Sequence, residues 1–442
     1  MMKVIRNSPR ASAAILAGLL IAAALAVNAL KSRSAPPPEP TKAPEPASTR
    51  TPSPTELPPT PTPTPTITPT ITPTWTPTAG LVGPEYLQGH NPLTGLPVAD
   101  LSTLFRVPLL VSITEFPPSS RPQAGLSAAA QVWETSIGEG MTRFLAVYYG
   151  DYMQTLAELL ENHPEYDEQD AALGPIRSGR VGYEEIRRFY PGALLITRYA
   201  SPEVAEQLSN LVTIYADDVN DINSAGLTLA ELEALEVGGA DPANYASLTF
   251  DARVPAGGRS GLSVDLIYNL FDQIRWVYSR GSGAYLRWQD QADGTGALHP
   301  LMDRLTGSQL QADNVVLMFA RHEFENLQGT ILEIELAFLP KRNGVLFRDG
   351  RMYDVHWSTR RLKLRLEDSE GREVPLKPGT TFFELVSFQS TWDDELRVAR
   401  FHNPPLPTLT PRPTQTPPPT LTPLPTLTPP LDTEEPTATP EL

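Results

Sequence analysis

"QVWETSI", residues 131–137, and "TRFLAVYYGD", residues 142–151, stand on either side of Gly138, Glu139 and Gly140. Both runs are rich in β-branched and aromatic residues, and a short glycine-bearing link between two such runs is the signature of a β-hairpin. Upstream, "RVPLLVSITE" (106–115) reads as a further strand, and "AGLSAAA" (124–130) as a short helix capped by Ser127. Downstream, "VGYEEIRRFYP" (181–191) repeats apolar residues at helical spacing until Pro191 and Gly192 stop it, and "ALLITRYA" (193–200) reads as a strand. "SPEVAEQLSN" (201–210) follows as a helix with Ser201 at the N-cap and Pro202 at the first position, then "LVTIYADD" (211–218) as a strand.

Helices alternating with strands point to a layered α/β unit. The spacing of "LSVDLIYNLFDQIRWVY" (262–278) predicts another helix. Beyond it "AYLRWQD", "NVVLMFARHEF", "TILEIELAFL", "GVLFRDGRMYDVHWS", "RLKLRLE" and "TTFFELVSF" all read as β, with turns at Asn343 and Gly344, Asp349 and Gly350, and Glu370 and Gly371. The expected fold class is therefore α+β: an N-terminal α/β-type layered domain over residues 79–280, followed by a β-rich C-terminal domain over 281–403.

The flanks have a different composition. Of 48 prolines, 30 lie in residues 36–77 and 404–442, often alternating with Thr as in "PTPTPTITPTITPTWTPT" (61–78). Proline at that density removes amide donors and fixes φ, so residues 34–78 are expected to be a disordered, extended stalk and residues 404–442 a disordered tail. Residues 1–33 carry Lys3, Arg6 and Arg10 ahead of an apolar run over 11–30, then Lys31 and Arg33. A helix of that length spans about 30 Å, a bilayer core, so the segment is expected to be a signal-anchor or, if cut near Ala24, Leu25 and Ala26, a signal peptide. The basic residues in front place the body outside the cell membrane, at the cell surface.

The chain has no cysteine and a formal charge of -16, and residues 79–403 alone carry 27 basic and 44 acidic side chains. Disulfides, thiol nucleophiles and cysteine-based zinc sites are excluded, and nucleic acid is not an expected partner of so acidic a body. The six histidines never form HxH, HxxH or HExxH, and no G-x-S-x-G is present, so neither a metal site nor a serine nucleophile is expected, and no cofactor.

"NPLTGLPV" (91–98), "RPQAGLSAAAQVWETSIGEGMTRFLAVYYGD" (121–151), "LGPIRSGR" (173–180), "NVVLMF" (314–319) and "GVLFRDGRMYDVHWS" to "LKPGTTFFELV" (344–386) resemble the YerB-like family of bacterial surface lipoproteins. The resemblance implies an exported, membrane-tethered protein in two parts with no established biochemical role. Two features depart from it. The family's lipobox cysteine is missing, so a protein helix would replace the lipid, and the family's Gly-rich step after the "LLIT" strand reads "RYASPEV".

Within "LGPIRSGR", Arg177 and Arg180 flank Ser178 and Gly179 behind a Gly-Pro corner, and the loop leads into a helix at Val181. These are the parts of an anion nest at a helix N-terminus, and with Arg121 or Arg143 from the adjacent strand layer they are expected to bind a carboxylate or phosphate group of a cell-envelope component. The bland reading pairs these arginines with Glu115, Glu134 and Glu139. The preferred function is a non-catalytic, membrane-tethered binding or scaffold module meeting an anionic envelope ligand or a protein partner. The alternative is a cell-envelope hydrolase using Glu134 and Glu139 as a carboxylate pair.

Overall fold

The hairpin read from residues 131–151 lies in the middle of a large mixed sheet. The computed structural model describes residue 83 and residues 89–407 except 139, 164, 167–169, 216, 217, 219 and 222. The expected signal-anchor, the stalk and all but the first residues of the tail lie outside the described residues. Strands β1 (Leu109–Thr114), β2 (Gln131–Ser136) and β3 (Thr142–Tyr148) form an antiparallel set in the order β2-β3-β1. To β1 are added, in parallel, β4 (Leu194–Thr197) and β5 (Leu211–Thr213).

The other half of this sheet comes from the C-terminal part of the chain. Its strands are β9 (Asn314–Phe324), β11 (Arg342–Arg348), β12 (Arg351–Ser358), β13 (Arg365–Glu367) and β14 (Thr381–Ser387), with β10 (Leu332–Glu335) paired to the far end of β9. The two halves join where β14 runs parallel to β2, with Thr381 opposite Gln131 and Glu384 opposite Glu134. Strands from before and after residue 280 thus share one sheet. Among the described residues strands in mixed sheets predominate and helices are few: α1 (Tyr152–Glu161), α2 (Gly182–Arg187), α3 (Pro202–Ala205) and α4 (Leu229–Ala234). Among the described residues no helix is long and apolar enough to cross a membrane.

β1, β2, β3 and β14 are buried along their whole length, which is why they read as continuous rather than alternating apolar runs. On one face Leu110, Trp133, Leu145 and Phe383 pack with Tyr183 and Ile186 of α2, and Trp133 stacks on Phe383 with ring centroids 4.1 Å apart. On the other face Val111, Val132, Phe144 and Phe382 meet a second sheet built around β6 (Ser263–Asn269), β7 (Asp272–Ser279), β8 (Ala284–Asp290) and β15 (Val398–Arg400).

Strands β6 and β7 correct the helix expected at 262–278. Val264, Leu266 and Tyr268, then Ile274 and Trp276, are the buried positions, which is period two. The reversal between them, at Leu270 and Phe271, contains neither Gly nor Pro; the Asn269 side chain turns the chain by accepting the Phe271 amide at 2.5 Å. Asn343 and Gly344 form no turn. They lie inside β11, where a Cβ on Gly344 would stand 2.8 Å from the Leu317 carbonyl oxygen.

"NPLTG" proves to be a built corner. Asn91 Oδ1 accepts the Leu93 amide at 2.9 Å, its Nδ2 donates to the Tyr149 carbonyl at 2.9 Å, and its own carbonyl accepts the Gly95 amide at 2.8 Å. Gly95 has φ +68°, and a Cβ there would lie 2.5 Å from Cγ of the buried Phe250 ring. Gly95→Ala is expected to lower stability by about 1–3 kcal/mol through backbone strain and overpacking, read as a shift in the denaturant midpoint. An unchanged midpoint would show that the corner has room to give.

Candidate functional site

The "LGPIRSGR" segment lies along the C-terminal end of β1. Ile176 bridges Ile113, the Thr114 amide donates to the Pro175 carbonyl at 2.9 Å, and the Arg177 amide to the Ser112 carbonyl at 2.8 Å. Arg143, directly opposite Thr114 in the β1–β3 register, reaches the same place. Its Nη1 donates to the Ser178 carbonyl at 2.8 Å and stands 3.4 Å from Ser178 Oγ, while Arg180 Nη1 donates to Ser178 Oγ at 2.9 Å. Arg177 is held from behind, Nε on Thr114 Oγ1 and Nη2 on Asn223 Oδ1, both at 3.2 Å. Arg143, Arg177, Arg180 and Ser178 are therefore brought together.

Arg121 is not with them. Its guanidinium is bonded to the carboxylate of Glu115, and Nε donates to the Glu115 carbonyl at 3.2 Å. Its place is taken by Arg198, the first residue after β4, whose amide donates to the Arg177 carbonyl at 3.0 Å. Burial, and then the charges of Arg143 and Arg198, push the Arg177 guanidinium down to about 10 against the pull of the Asp221 carboxylate. Among the described residues, neither Arg143 nor Arg177 has a carboxylate within ion-pair distance, and Arg143 Nε is buried without a hydrogen-bond partner.

The nest expected in this loop does not form as read. The Gly179 amide is spent on the Tyr199 carbonyl at 2.6 Å, and α2 is too short to carry a strong N-terminal field. A Cβ at 179 would stand 2.9 Å from Leu208 Cδ1, a side-chain end that would have to shift. The groups gathered at Ser178 are side chains.

The carboxylates lie in a different place, between the two sheets. Glu134 and Glu384, neighbours across β2 and β14, are fully buried, and Arg287 of β8 is inserted against both. Its Nη1 donates to Glu134 Oε2 at 2.7 Å and lies 3.4 Å from Glu384 Oε1; its Nη2 donates to Glu134 Oε1 at 3.1 Å. Thr142 Oγ1 donates to Glu134 at 2.7 Å, Trp276 Nε1 to Glu384 at 2.8 Å, and the guanidinium carbon stands 4.9 Å from the Phe144 ring centroid. Gln289 links Arg287 to Glu115, and Arg121 closes the far end.

So Glu134 does have an arginine partner, but it is Arg287, which residue-type reasoning passed over. A fully buried carboxylate in such a clamp has neither a route to substrate nor freedom to exchange protons with one, which removes it as the hydrolase's acid or base; Glu139 lies outside the described residues. Among the described residues no cluster of three or more His, Asp or Glu could hold a metal ion.

Burial, joined by the neighbouring Glu134 charge, pushes Glu384 well above the ordinary carboxyl range, and burial with the Glu115 and Glu134 charges does the same to Asp272. Burial raises Glu115 to about 7 against the pull of Arg121. The folded chain thus keeps a proton on Glu115 that the unfolded chain releases near 4.5, and the stability this contributes is present below that pH and lost as pH rises through 7. The stability difference between the wild type and Glu115→Gln is expected to move against the wild type from pH 5 to pH 8 in thermal melts. A difference that moved the other way would mean that Glu115 folds as a carboxylate. Arg287→Met, which strands buried acid groups, is expected to cost about 3–5 kcal/mol in equilibrium unfolding, and a loss below 1 kcal/mol would contradict the clamp.

Comparison with known proteins agrees with this architecture. Residues 93–229 match the family model described as "Protein of unknown function (DUF3048) N-terminal domain", and residues 264–383 match its C-terminal domain. YerB of Bacillus subtilis (strain 168), named as a lipoprotein, is 24% identical over 317 residues, covering 67% of this chain and 85% of its own. The crystal structure of YerB protein from Bacillus subtilis superposes with a TM-score of 0.50 at 21% identity, covering 67% of this chain and 96% of that one. With both family regions present in order and the fold shared, the chain belongs to the YerB-like, DUF3048 family.

Proposed function

We propose that this chain is a non-catalytic, extracytoplasmic binding or scaffold module of the cell envelope that holds an anionic envelope component at Arg143, Arg177, Arg180 and Ser178. The observation that carries the reading is the convergence of the Arg143 and Arg180 guanidinium groups on Ser178 beside Arg177, with no carboxylate in ion-pair contact with Arg143 or Arg177 among the described residues. Like charges gathered in a partly buried place repel one another, and a bound anion relieves that repulsion while accepting forked hydrogen bonds. In a chain of net charge -16 such a spot is a local exception, acting at contact range and not by long-range steering.

Membrane attachment follows a different route from that in the relative named as a lipoprotein. With no cysteine to carry a lipid, the apolar segment 11–30 is the tether, and the basic residues before it set the body outside.

The test is calorimetric titration of the full-length protein, kept in detergent, with inorganic phosphate and with citrate. Arg177→Ala and Arg180→Ala are each expected to lose about 1.5–3 kcal/mol of affinity, and Arg180→Lys to recover only part of it because the fork is gone. Arg180, being partly exposed, should leave the melting temperature nearly unchanged. Large losses of stability with no change in anion affinity would make these arginines internal braces and end the proposal.

A further inference from the structure

The C-terminal sequence repeats itself. "PLPTLTP" stands at residues 405–411 and again at 423–429, and nowhere else in the chain. Both copies are uncharged. Proline at this density favours the extended polyproline II form, a stiff strip of proline rings and leucine side chains.

The start of the first copy shows what such a strip packs against. The Phe401 amide donates to the Ile267 carbonyl at 2.8 Å and the His402 amide to Ser390 Oγ at 2.9 Å, which fixes the chain as it leaves β15. Pro404 is buried, and with Pro405, Phe319, Arg342 and Phe388 it lines a cavity of about 660 Å3. Leu406 then reaches the loop between β9 and β10, its Cδ2 lying 2.8 Å from where a Cβ on Gly329 would stand.

A second cavity, of about 490 Å3, meets the first: Phe319, Arg342 and Phe388 line both, and Val345, Val355 and Trp392 add to the apolar wall of the second. The Phe388 side chain is held open to solvent. It is 55% exposed, although its amide is tied to the Ala320 carbonyl at 2.9 Å. Trp392, partly exposed, stands edge-on to the buried Phe347 ring at 6.5 Å. Aromatic rings set along a groove are the surface on which proline strips dock, since ring faces take the flat proline rings and a ligand already extended loses little entropy. The first copy leads away from this second cavity, toward Gly329.

We infer that the second copy, residues 423–429, docks along Phe319, Phe388 and Trp392 in the second cavity, so that the tail closes back on the body of its own chain. Residues 408–422 form the connection. Extended, they reach roughly 45 Å, against roughly 36 Å for a strand as long as β9, so the connection spans the return from Leu406. Because the tail departs from the edge of this groove, its second copy is present there at an effective concentration on the order of millimolar, an advantage that a segment of another chain lacks. The docking is independent of the anion site and stands or falls without it.

The experiment uses the full-length protein in detergent and a fluorescent synthetic peptide of residues 422–430, "TPLPTLTPP", with binding read by anisotropy. The double variant Leu424→Ser, Leu427→Ser, altered only in the tail, is expected to bind the peptide about tenfold or more tightly than the wild type, whose groove holds its own copy. Adding Phe388→Ala to that variant is expected to abolish the gain. Phe388 is exposed, so its replacement should leave the melting temperature nearly unchanged and separate lost docking from lost folding. Equal binding by the wild type and the double variant, or no binding to either, would overturn the docking. Light scattering tells the chain's own tail from a neighbour's: the two proteins are expected to have the same mass. A wild-type dimer that the double variant loses would give the groove to a second copy and overturn the closure within one chain.

Discussion

Glu134 and Glu384 face each other across the joint between the two halves of the main sheet, in a place that water does not reach. Two adjacent carboxyl groups cannot be left there without a cation, and among the described residues the second sheet supplies it as Arg287. Arg287 therefore does more than pair charges. It fixes where β8 sits over β2 and β14, and it draws Trp276 and Phe144 around itself as walls. It also pins the register. A slip of one residue in β2 or β14 would turn a carboxyl group onto the opposite face, among Trp133 and Phe383, with nothing to receive it.

The arginines of the body fall into two kinds. Arg287 and Arg121 are consumed inside the molecule by Glu134, Glu384 and Glu115. Arg143 ends at Ser178 and Arg177 at Thr114 and Asn223, each held by carbonyl, hydroxyl or amide oxygens and not by an ion pair. The same residue type is paired with carboxylates in one layer and held by neutral oxygens in another. What separates them is which side of the main sheet they lie against: Arg287 meets Glu134 and Arg121 meets Glu115, whereas Arg143 leaves β3 on the face shared with Thr114, where Arg177 is held.

The central hairpin, β1, β4, the long strand β9 and the β11–β12 hairpin at Asp349 and Gly350 were all legible, because fully buried strands read as unbroken apolar runs and glycine marks their reversals. The β6–β7 pair was not. Its turn uses an asparagine side chain where a glycine would have been the signal, and its alternation also satisfies a helical template. Arg287 was missed for a related reason. In "AYLRWQD" it shares the inward face with Tyr285 and Gln289 while Trp288 is turned partly outward, the reverse of what side-chain polarity suggests. The segment read correctly as β, but the partner of Arg287, 153 positions earlier in the chain, has no mark in local sequence. The loop at Ser178 was half legible: its composition announced a polar corner, but only the parallel pairing of β1 with β4 brings Arg198 to it, and only the fold sends Arg121 away.

The pairing of Gln131 with Thr381 also sets an order of events. A chain delivered N-terminus first completes β2 and β3 long before β14 emerges, so the middle of the future sheet waits with one edge open and an acid group uncompensated. Local hairpins form in microseconds, whereas this joint closes only after nearly the whole body has been delivered. The unfinished half is adhesive during that interval, exposing a flat apolar strand to any neighbour in the same condition. For this architecture the hazard lies in the assembly period, and the rate of delivery becomes as consequential as the stability of the finished molecule.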